Sequence, residues 1–386
     1  MKIISVVGAR PNFMKISPFV RAMEEHNREC YDRIEHILVH TGQHYDVEMS
    51  QAFFKALNIP DPDINLEIGS GSHAEQIGNT MIAFEKVVRA EKPDWVVVVG
   101  DVNATLACSV TAKKEGTRVC HIEAGLRSGD MTMPEEINRM VTDRLADLLL
   151  TPDRLSSANL RKEGVAENKI VFVGNIMIDT LEANRSRASQ LDLGSICLAN
   201  CLPEQKTKIP TLKNKNYAVI TMHRPSNVDE PSVLRRLVEF LCSEAAGEMP
   251  VIWPLHPRAE KKLREFGLWA DVLRAENLIL LRPIGYLEML RFNMAARLML
   301  TDSGGLQEEC TVLGTPCLTM RWNTERPVTL RKHGGASVLV GNDVERIRTE
   351  YRKTLASEQK PMRPELWDGH TAERCLRAII NYKKNV

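Results

Sequence analysis

The sequence lacks the features that mark membrane-spanning, fibrous and nucleic-acid-binding proteins. None of its apolar runs approaches the ~20 residues that a membrane span needs, so we expect no membrane partner. Its 51 basic and 50 acidic side chains give a net charge of +1, which provides no overall attraction for nucleic acid. Aromatic residues make up only 5% of the chain, against 22 glycines and 19 prolines, and this balance is typical of α/β proteins.

Cysteine pairs of the metal-binding kind are also missing. The nine cysteines contain no Cys-x-x-Cys motif, and several of them, such as Cys108 and Cys120, lie within apolar stretches. This pattern favours a reducing cytoplasm and argues against structural zinc. The apolar run of residues 3–7 is short and is followed by Arg10 rather than by a cleavage site, so it predicts a first buried strand and no signal peptide.

Two successive blocks of the chain alternate short Val-, Ile- and Leu-rich runs with amphipathic stretches. This alternation predicts βαβ units and parallel sheets. The predicted strands are residues 2–7, 34–41, 95–99, 119–122, 148–151 and 170–173 in the first block, and 217–222, 251–255, 278–281, 296–301 and 316–320 in the second. The predicted helices of the first block are residues 14–25, 75–90, 104–115 and 135–146.

A polar segment, residues 186–216, separates the two blocks without a strong pattern of its own. We place a domain boundary near residues 174–175, and the length of the chain also favours two domains. The predicted fold class is α/β, with two Rossmann-like doubly wound domains facing a central cleft. The last helix, residues 371–382, can pack on either domain.

The first predicted strand ends in a polar turn, residues 8–12, which Lys15 follows within one helical turn. Arg10 and Lys15 beside a helix start suit a phosphate group, although a solvated basic turn explains the spacing equally well. The turn is not a G-x-G-x-x-G fingerprint, and the chain contains no Walker lysine motif. NAD-dependent and P-loop chemistry therefore lose support, and we expect no cofactor.

Two histidines, His40 and His44, follow the second predicted strand. Gly42 lies between them, and the strand pattern before them makes a shared helical face improbable, so a metal pair is the weaker interpretation.

Carboxylates stand at the ends of two further strands and at a helix start. Asp101 and Glu123 emerge at the same edge of the predicted sheet, and the loop after Glu123 can bring Glu135 near them. Several carboxylates in one cleft suit proton transfer or the stabilisation of a developing cation. Each has a structural alternative, because Glu135 can be an ordinary acidic helix start and Glu123 can pair with Arg127.

The second block offers a candidate seat for a diphosphate. Ser303 is followed by Gly304 and Gly305 at a helix start, where backbone amides and the helix dipole favour negative charge. Glu309, further along this helix, is placed to reach the hydroxyls of a ribose. The structural alternative is a well-capped helix that begins with a glycine turn. The remaining candidates are His223, which follows another strand, and Arg326, which lies in a loop.

Together these motifs resemble one family, the non-hydrolysing UDP-N-acetylglucosamine 2-epimerases, which have the GT-B fold of glycosyltransferases. The resemblance covers residues 1–175 and 217–331. It implies an N-terminal Rossmann-like domain of residues 1–175, with the C-terminal helix of residues 366–386 packing back on it, and a UDP-binding domain of residues 176–365. It also implies a homodimer.

The resemblance implies functional roles for the residues of this sequence that match the family's motifs. The catalytic residues it implies are Asp101, Glu123, Glu135 and His223. The substrate-binding residues it implies are Arg10, Lys15, Arg139, Met289, Ser303, Gly304, Gly305, Glu309 and Arg326. A second, regulatory substrate site is implied near Gln43 and His44. Neither a metal nor a nicotinamide is implied.

The reaction implied is inversion at C2 of UDP-N-acetylglucosamine, through elimination of UDP and its re-addition to a 2-acetamidoglucal, for cell-surface polysaccharide precursors. Four other functions fit the same motifs: epimerisation of a UDP-2,3-diacetamido uronic acid, a hydrolysing 2-epimerase, a GT-B glycosyltransferase, and a nucleotide-sugar sensor without activity.

Overall fold

The computed structural model describes residues 1–8, 10–42, 61–357 and 362–382, and for residues 10, 11 and 206–208 it describes the backbone alone. The chain forms two compact units. The first holds Met1–Ala183 and Glu365–Val386, and the second holds Asn184–Pro364. The domain limits that the sequence suggests, 1–175 and 176–365, stay a prediction.

The first unit contains a parallel sheet with helices between its strands. Its strands are β1 (Lys2–Val7), β2 (Glu35–His40), β3 (Ile64–Asn65), β4 (Trp95–Val99), β5 (Arg118–Ile122), β6 (Leu148–Thr151) and β7 (Ile170–Phe172). Its helices up to the end of this part of the chain are α1 (Arg10–Glu29), α2 (His73–Glu91), α3 (Asn103–Lys114), α4 (Pro134–Leu145), α5 (Arg154–Lys162) and α6 (Ile176–Ser189), with a 3₁₀ turn at Glu167–Lys169. Helix α6 continues into the second unit.

The order of strands in this sheet is β3-β2-β1-β4-β5-β6-β7. Strand β4 lies at its centre and is buried along its whole length, as its continuous apolar sequence predicts. The chain builds outward from β1 through β2 and β3, then returns to place β4 on the other side of β1. The loops after β1 and β4 therefore run in opposite directions and leave a crevice beyond the carboxyl ends of these strands.

The second unit repeats this architecture with six parallel strands. They are β8 (Ala218–Thr221), β9 (Val251–Pro254), β10 (Leu278–Leu281), β11 (Leu298–Thr301), β12 (Cys317–Thr319) and β13 (Ser337–Leu339). Their order is β10-β9-β8-β11-β12-β13, so the equivalent crevice lies beyond β8 and β11. A core of buried aliphatic and aromatic side chains, including Trp253 and Tyr351, packs against this sheet.

The helices of the second unit cover both faces of its sheet. They are α7 (Leu193–Asn200), α8 (Pro225–Val228), α9 (Pro231–Phe240), α10 (Ala246–Glu248), α11 (Pro257–Glu265), α12 (Trp269–Arg274), α13 (Tyr286–Ala295), α14 (Gly304–Leu313) and α15 (Val344–Ala356). A π-helical turn, Leu241–Ala245, joins α9 to α10. Three 3₁₀ turns lie at Pro203–Lys208, Pro327–Thr329 and Arg331–His333.

The last helix, α16 (Thr371–Ile380), belongs to the first unit. The carboxylate of Asp179 in α6 accepts hydrogen bonds from the backbone N–H groups of Thr371 at 3.1 Å and Ala372 at 2.7 Å. The indole N–H of Trp367 donates to the carbonyl of Pro152 at 2.9 Å. These bonds, together with the buried apolar side chains of the helix, tie it to the N-terminal part of the chain.

All eleven predicted strands are present, and each end lies within two residues of the prediction. The expected α/β class with two parallel-sheet domains is therefore confirmed. The sequence did not predict β3, β13 or the helices of segment 186–216. Across the described ranges, no helix combines the length and the apolar composition needed to cross a membrane.

Candidate active site

The crevice of the first sheet is organised around Gly100, the residue that follows β4. Its backbone is left-handed, with φ of +68°. A Cβ atom placed there would lie 3.1 Å from Nζ of Lys15, and 3.5 Å from both Nδ2 of Asn12 and Oε2 of Glu123. Three polar side chains, two from α1 and one from the residue after β5, therefore converge on a position that only glycine leaves open.

Lys15 and Glu123 form a buried ion pair at this point. Glu123 has a φ of +70°, a conformation that residues other than glycine rarely adopt. Such strain persists where the surroundings hold a side chain in place, and it is frequent at functional sites. The structural alternative, in which Glu123 pairs with Arg127, is wrong because Arg127 binds Asp143 and Glu163 instead.

Helix α4 holds Asp101 in the same crevice. Oδ2 of Asp101 accepts hydrogen bonds from Nε of Arg139 at 3.0 Å and from Nη2 at 2.6 Å. The side-chain amide of Asn138 donates to the backbone carbonyl of Asp101 at 2.9 Å. The loop after β4 is thus fixed to α4 by both its side chain and its backbone.

Two neighbouring carboxylates at the start of α4 have different environments. Glu136 is buried and accepts from the backbone N–H groups of Ser128 and Gly129 at 2.9–3.0 Å, and it also pairs with Arg139. Glu135 is half-buried and forms no hydrogen bond or ion pair with any residue that the structure describes. Glu136 therefore shapes the loop, while Glu135 is the carboxylate left available for a ligand.

Three of the predicted positions lie wholly or partly outside the described residues. Gln43 and His44 fall in the segment between residues 42 and 61, and Arg10 begins α1 with a side chain that is not described. His40 is buried with its ring edge-on to Phe13, the ring centroids being 5.0 Å apart, and burial lowers the pKa of this histidine. Its environment is that of a packed core residue.

In the second unit, His223 follows β8 and Asp302 follows β11, so both lie at the crevice of that sheet. Oδ2 of the buried Asp302 accepts from the backbone N–H groups of His223 and Arg224, each at 2.9 Å, and Nδ1 of His223 lies 2.7 Å from Oδ1. Burial raises the pKa of Asp302, but hydrogen bonding to His223 outweighs it and holds this pKa below its usual value. The ionised carboxylate faces Nδ1 of His223, so Nε2 is the ring nitrogen that does not face Asp302.

Helix α14 begins at the same crevice, directly after Ser303. Ser303 occupies the N-cap position, but its side chain makes no capping hydrogen bond, so the ordinary capped-helix interpretation is not what the structure has. A Cβ atom on Gly304 would lie 2.9 Å from Nη1 of Arg326 and 3.0 Å from Oε1 of Glu325, whereas a Cβ atom on Gly305 would meet nothing within 4 Å. The helix start is therefore packed closely against the 321–326 loop.

Arg326 is buried between two carboxylates. Its Nε lies 2.5 Å from Oε1 of Glu308, and its Nη1 pairs with Glu325, which also accepts from Arg321. The positive charge of Arg326 is thus balanced within the protein, and its main structural effect is to hold the loop against α14.

Glu309 is fully buried within α14. Burial raises the pKa of its carboxyl from 4.5 to about 7, although the side chains of Tyr286 and Asn293 favour the ionised form. Both of these side chains come from α13, which also carries the half-buried Met289.

Sequence reasoning missed four residues that build these crevices: Asn12, Glu136, Asn138 and Asp302. Asp302 had a usable signal, because it follows a buried strand directly. The distinction between Glu135 and Glu136 had none, since the two are adjacent and chemically identical. Among the described residues, no group of three or more His, Cys, Asp or Glu side chains is arranged to hold a metal ion.

Comparisons with known proteins identify the family. The sequence matches the family described as UDP-N-acetylglucosamine 2-epimerase over residues 26–380. A relative from Methanocaldococcus jannaschii, named UDP-N-acetylglucosamine 2-epimerase, is 39% identical over 386 residues, covering 100% of both chains. A relative from Pseudomonas aeruginosa, named UDP-2,3-diacetamido-2,3-dideoxy-D-glucuronate 2-epimerase, is 39% identical over 366 residues, covering 93% of this chain and 94% of that one.

A solved structure agrees with these matches. The crystal structure of the M. jannaschii UDP-GlcNAc 2-epimerase, in complex with UDP-GlcNAc and UDP, has a TM-score of 0.85 and covers 99% of this chain and 100% of that chain. The chain belongs to the UDP-N-acetylglucosamine 2-epimerase family and is therefore an enzyme, an epimerase.

Proposed function

We propose that this protein interconverts UDP-N-acetylglucosamine and UDP-N-acetylmannosamine by elimination and re-addition of UDP. The bond between C1 and the UDP oxygen breaks, with its electron pair leaving on UDP, while a base removes the proton from C2. A 2-acetamidoglucal forms. UDP then adds back to C1 as a proton is delivered to the opposite face of C2.

The observation that carries this proposal is the carboxylate cluster at the crevice of the first sheet. Glu123 is held in a strained backbone conformation against Lys15, and Asp101 is held by Arg139. Glu135 lies on the helix that fixes Asp101, half-buried and open to a ligand. Carboxylates fixed in this way stabilise cationic character at C1 and supply a base and an acid for C2.

We assign the diphosphate to the other candidate residues. Arg10 and Lys15 are assigned to it as cations, as the resemblance implies. His223 and the α14 start at Ser303, Gly304 and Gly305 provide hydrogen-bond donors that suit the departing UDP. We place the ribose at Glu309, with Met289 and Arg326 lining the nucleotide site, and Arg139 supports Asp101. Gln43 and His44 remain the proposed regulatory positions.

A UDP-2,3-diacetamido uronic acid is the second candidate substrate. The P. aeruginosa relative named for that sugar is as identical to this chain, at 39%, as the M. jannaschii relative named for UDP-N-acetylglucosamine. Both names imply inversion at C2, so the chemistry proposed above applies to either sugar.

Proton NMR in heavy water tests the proposed reaction. Purified protein is incubated with UDP-N-acetylglucosamine, without added cofactor or metal, and we expect UDP-N-acetylmannosamine with deuterium at C2. Release of free N-acetylmannosamine and UDP would instead identify a hydrolysing enzyme. Turnover of only the diacetamido uronic acid would transfer the proposal to that sugar, and bound UDP-sugar without turnover of either would contradict it in favour of a sensor.

Neutral variants of the carboxylates test the assigned roles. We expect Asp101→Asn, Glu123→Gln and Glu135→Gln each to lower kcat by about 100-fold or more, because each removes a charge or a proton carrier from the transition state. Affinity for UDP, measured by calorimetry, should change little. Glu24→Gln, at an exposed position of α1, is the matched control and should retain wild-type kcat. Near-normal turnover in all three variants would remove the carboxylate mechanism.

We also propose that the protein is a cytoplasmic homodimer that supplies precursors of cell-surface polysaccharides. The apolar side chains of Ile137, Met140 and Val141 are exposed on one face of α4, at the i, i+3, i+4 spacing that forms a stripe. Such a stripe suits burial against a second copy of the chain.

A further inference from the structure

His121 is a fully buried histidine to which the proposed mechanism gives no role. It lies in β5, two residues before Glu123, and its side chain has no exposed surface. Nδ1 lies 2.6 Å from Oδ1 of Asp143 in α4, and Nε2 lies 2.9 Å from the backbone carbonyl oxygen of Gly100. Both ring nitrogens are therefore within hydrogen-bond distance of an oxygen atom.

The chemistry of these partners decides where the ring protons are. A backbone carbonyl only accepts, so Nε2 must carry a hydrogen and donate to Gly100. Asp143 accepts at its other oxygen from the backbone N–H of Gly125 at 3.0 Å and from Nη1 of Arg127 at 2.7 Å. Beside Arg127 this carboxylate is ionised and has no hydrogen to donate, so its 2.6 Å contact with Nδ1 of His121 requires that nitrogen to carry a hydrogen as well.

The charges around Asp143 support the presence of a hydrogen on both ring nitrogens of His121. Burial raises the pKa of Asp143, but the neighbouring His121 and Arg127 outweigh it and hold this pKa below its usual value. Arg127 is in turn paired with Glu163, at 2.7 Å. The result is a group of two cations and two anions in which a doubly protonated His121 has its counterion beside it.

His121 and Asp143 each form a hydrogen bond with the backbone close to a proposed catalytic carboxylate, Asp101 in one case and Glu123 in the other. His121 binds the carbonyl of Gly100, the residue before Asp101, and Asp143 binds the N–H of Gly125, two residues after Glu123. Asp143 itself lies on α4, the helix that carries Glu135 in its first turn and holds Asp101 through Arg139.

We propose that His121 is a positioning residue whose two ring nitrogens both donate hydrogen bonds, and which with Asp143 clamps the loops after β4 and β5 to helix α4. Its contribution to catalysis is to fix the separation of Asp101, Glu123 and Glu135. For its kinetic consequence the assignment rests on the proposed function, whereas the protonation of the ring does not depend on it.

Nitrogen-15 NMR of the full-length protein, labelled at histidine, tests the ring protons. At neutral pH we expect both ring nitrogens of His121 to be bonded to hydrogen, in signals that disappear in His121→Gln and in His121→Asn. Asp143→Asn removes the counterion, and we expect the ring of His121 to lose one of its two protons in that variant. A single protonated nitrogen in the wild-type ring would overturn the proposal.

Kinetics test the positioning role. His121→Gln keeps a donor for Gly100 and His121→Asn keeps a donor for Asp143, so each variant loses one half of the clamp. Because small displacements of catalytic groups are costly, we expect each to lower kcat by about 100-fold while KM changes little. His370→Asn, which replaces an exposed histidine of the same unit, is the control and should retain wild-type values.

The outcomes separate this proposal from the proposed function. Wild-type kcat in a folded His121→Gln or His121→Asn protein would overturn the positioning role. Absence of turnover in the wild-type protein would contradict the proposed function, and in that case the ring protonation and its response to Asp143→Asn decide the assignment of His121.

Discussion

Glu309 shows how a single buried carboxyl makes stability depend on pH. Burial raises its pKa from 4.5 to about 7 in the folded protein. Between these two values the folded chain holds a proton on Glu309 that the unfolded chain has lost. The free energy of unfolding therefore falls as pH rises through this interval, since the folded state binds more protons.

Glu309→Gln removes this titration. We expect the wild-type protein to lose about 3 kcal/mol of unfolding free energy from this group between pH 4.5 and pH 7, and the variant to lack that part of the slope. Urea unfolding at several pH values in this range measures the difference. Glu276→Gln, at an exposed position, controls for the loss of one negative charge. Parallel curves for the wild-type and Glu309→Gln proteins would contradict the prediction.

At the residue scale, the sequence predicted which positions carry chemistry better than it predicted their partners. Asp101 and Glu123 could be found because each lies just after the end of a predicted strand. The partners come from distant parts of the chain: Lys15 and Glu123 are 108 residues apart, and His121 and Asp143 are 22 apart. No local pattern encodes these pairs, because they arise only when the strands and helices pack.

At the scale of elements, the turn after β4 requires glycine at position 100 for two reasons. Its positive φ disfavours any other residue, and its missing Cβ leaves room for Lys15, Asn12 and Glu123. Gly116, between α3 and β5, offers a matched comparison, because it has a φ of +76° with nothing within 4 Å of a Cβ atom.

Substituting these two glycines separates backbone strain from crowding. We expect Gly100→Ala and Gly116→Ala each to lower the free energy of unfolding by about 1–2 kcal/mol, the cost of a left-handed conformation for alanine. Only Gly100→Ala should also lower kcat, because its Cβ displaces Lys15 from Glu123. Denaturant unfolding and steady-state kinetics on both variants provide the two measurements. An equal loss of kcat in both would show that the crowding has no catalytic effect.

The elements that sequence patterns failed to predict are either short or have no distinct apolar face. Strands β3 and β13 have two and three residues and are partly exposed, so neither forms a continuous apolar run. Helix α7 has only eight residues and is apolar on most sides, so its sequence shows no alternation of apolar and polar residues at the helical period. Asp192 was its one available signal, since its side chain caps the helix by accepting from the N–H of Ser195 at 2.7 Å.

At the scale of the whole molecule, the exposed stripe of α4 allows the proposed homodimer to be tested. We expect wild-type protein to sediment as a dimer and an Ile137→Glu, Met140→Glu double variant to sediment as a monomer, because burying two carboxylates in the interface is unfavourable. Leu198→Glu, which alters an exposed apolar side chain of the second unit, should leave the dimer intact. A monomeric wild-type protein would contradict the proposal.

The capping of α16 by Asp179 has a consequence for how the protein is made. The helix that completes the first unit is encoded after the whole of the second. On the ribosome, residues 1–183 emerge early but cannot gain the packing of Cys375, Leu376 and Ile379 until translation is nearly finished. All strands of the second unit leave the ribosome before α16 does, so we expect the first unit to complete its folding last.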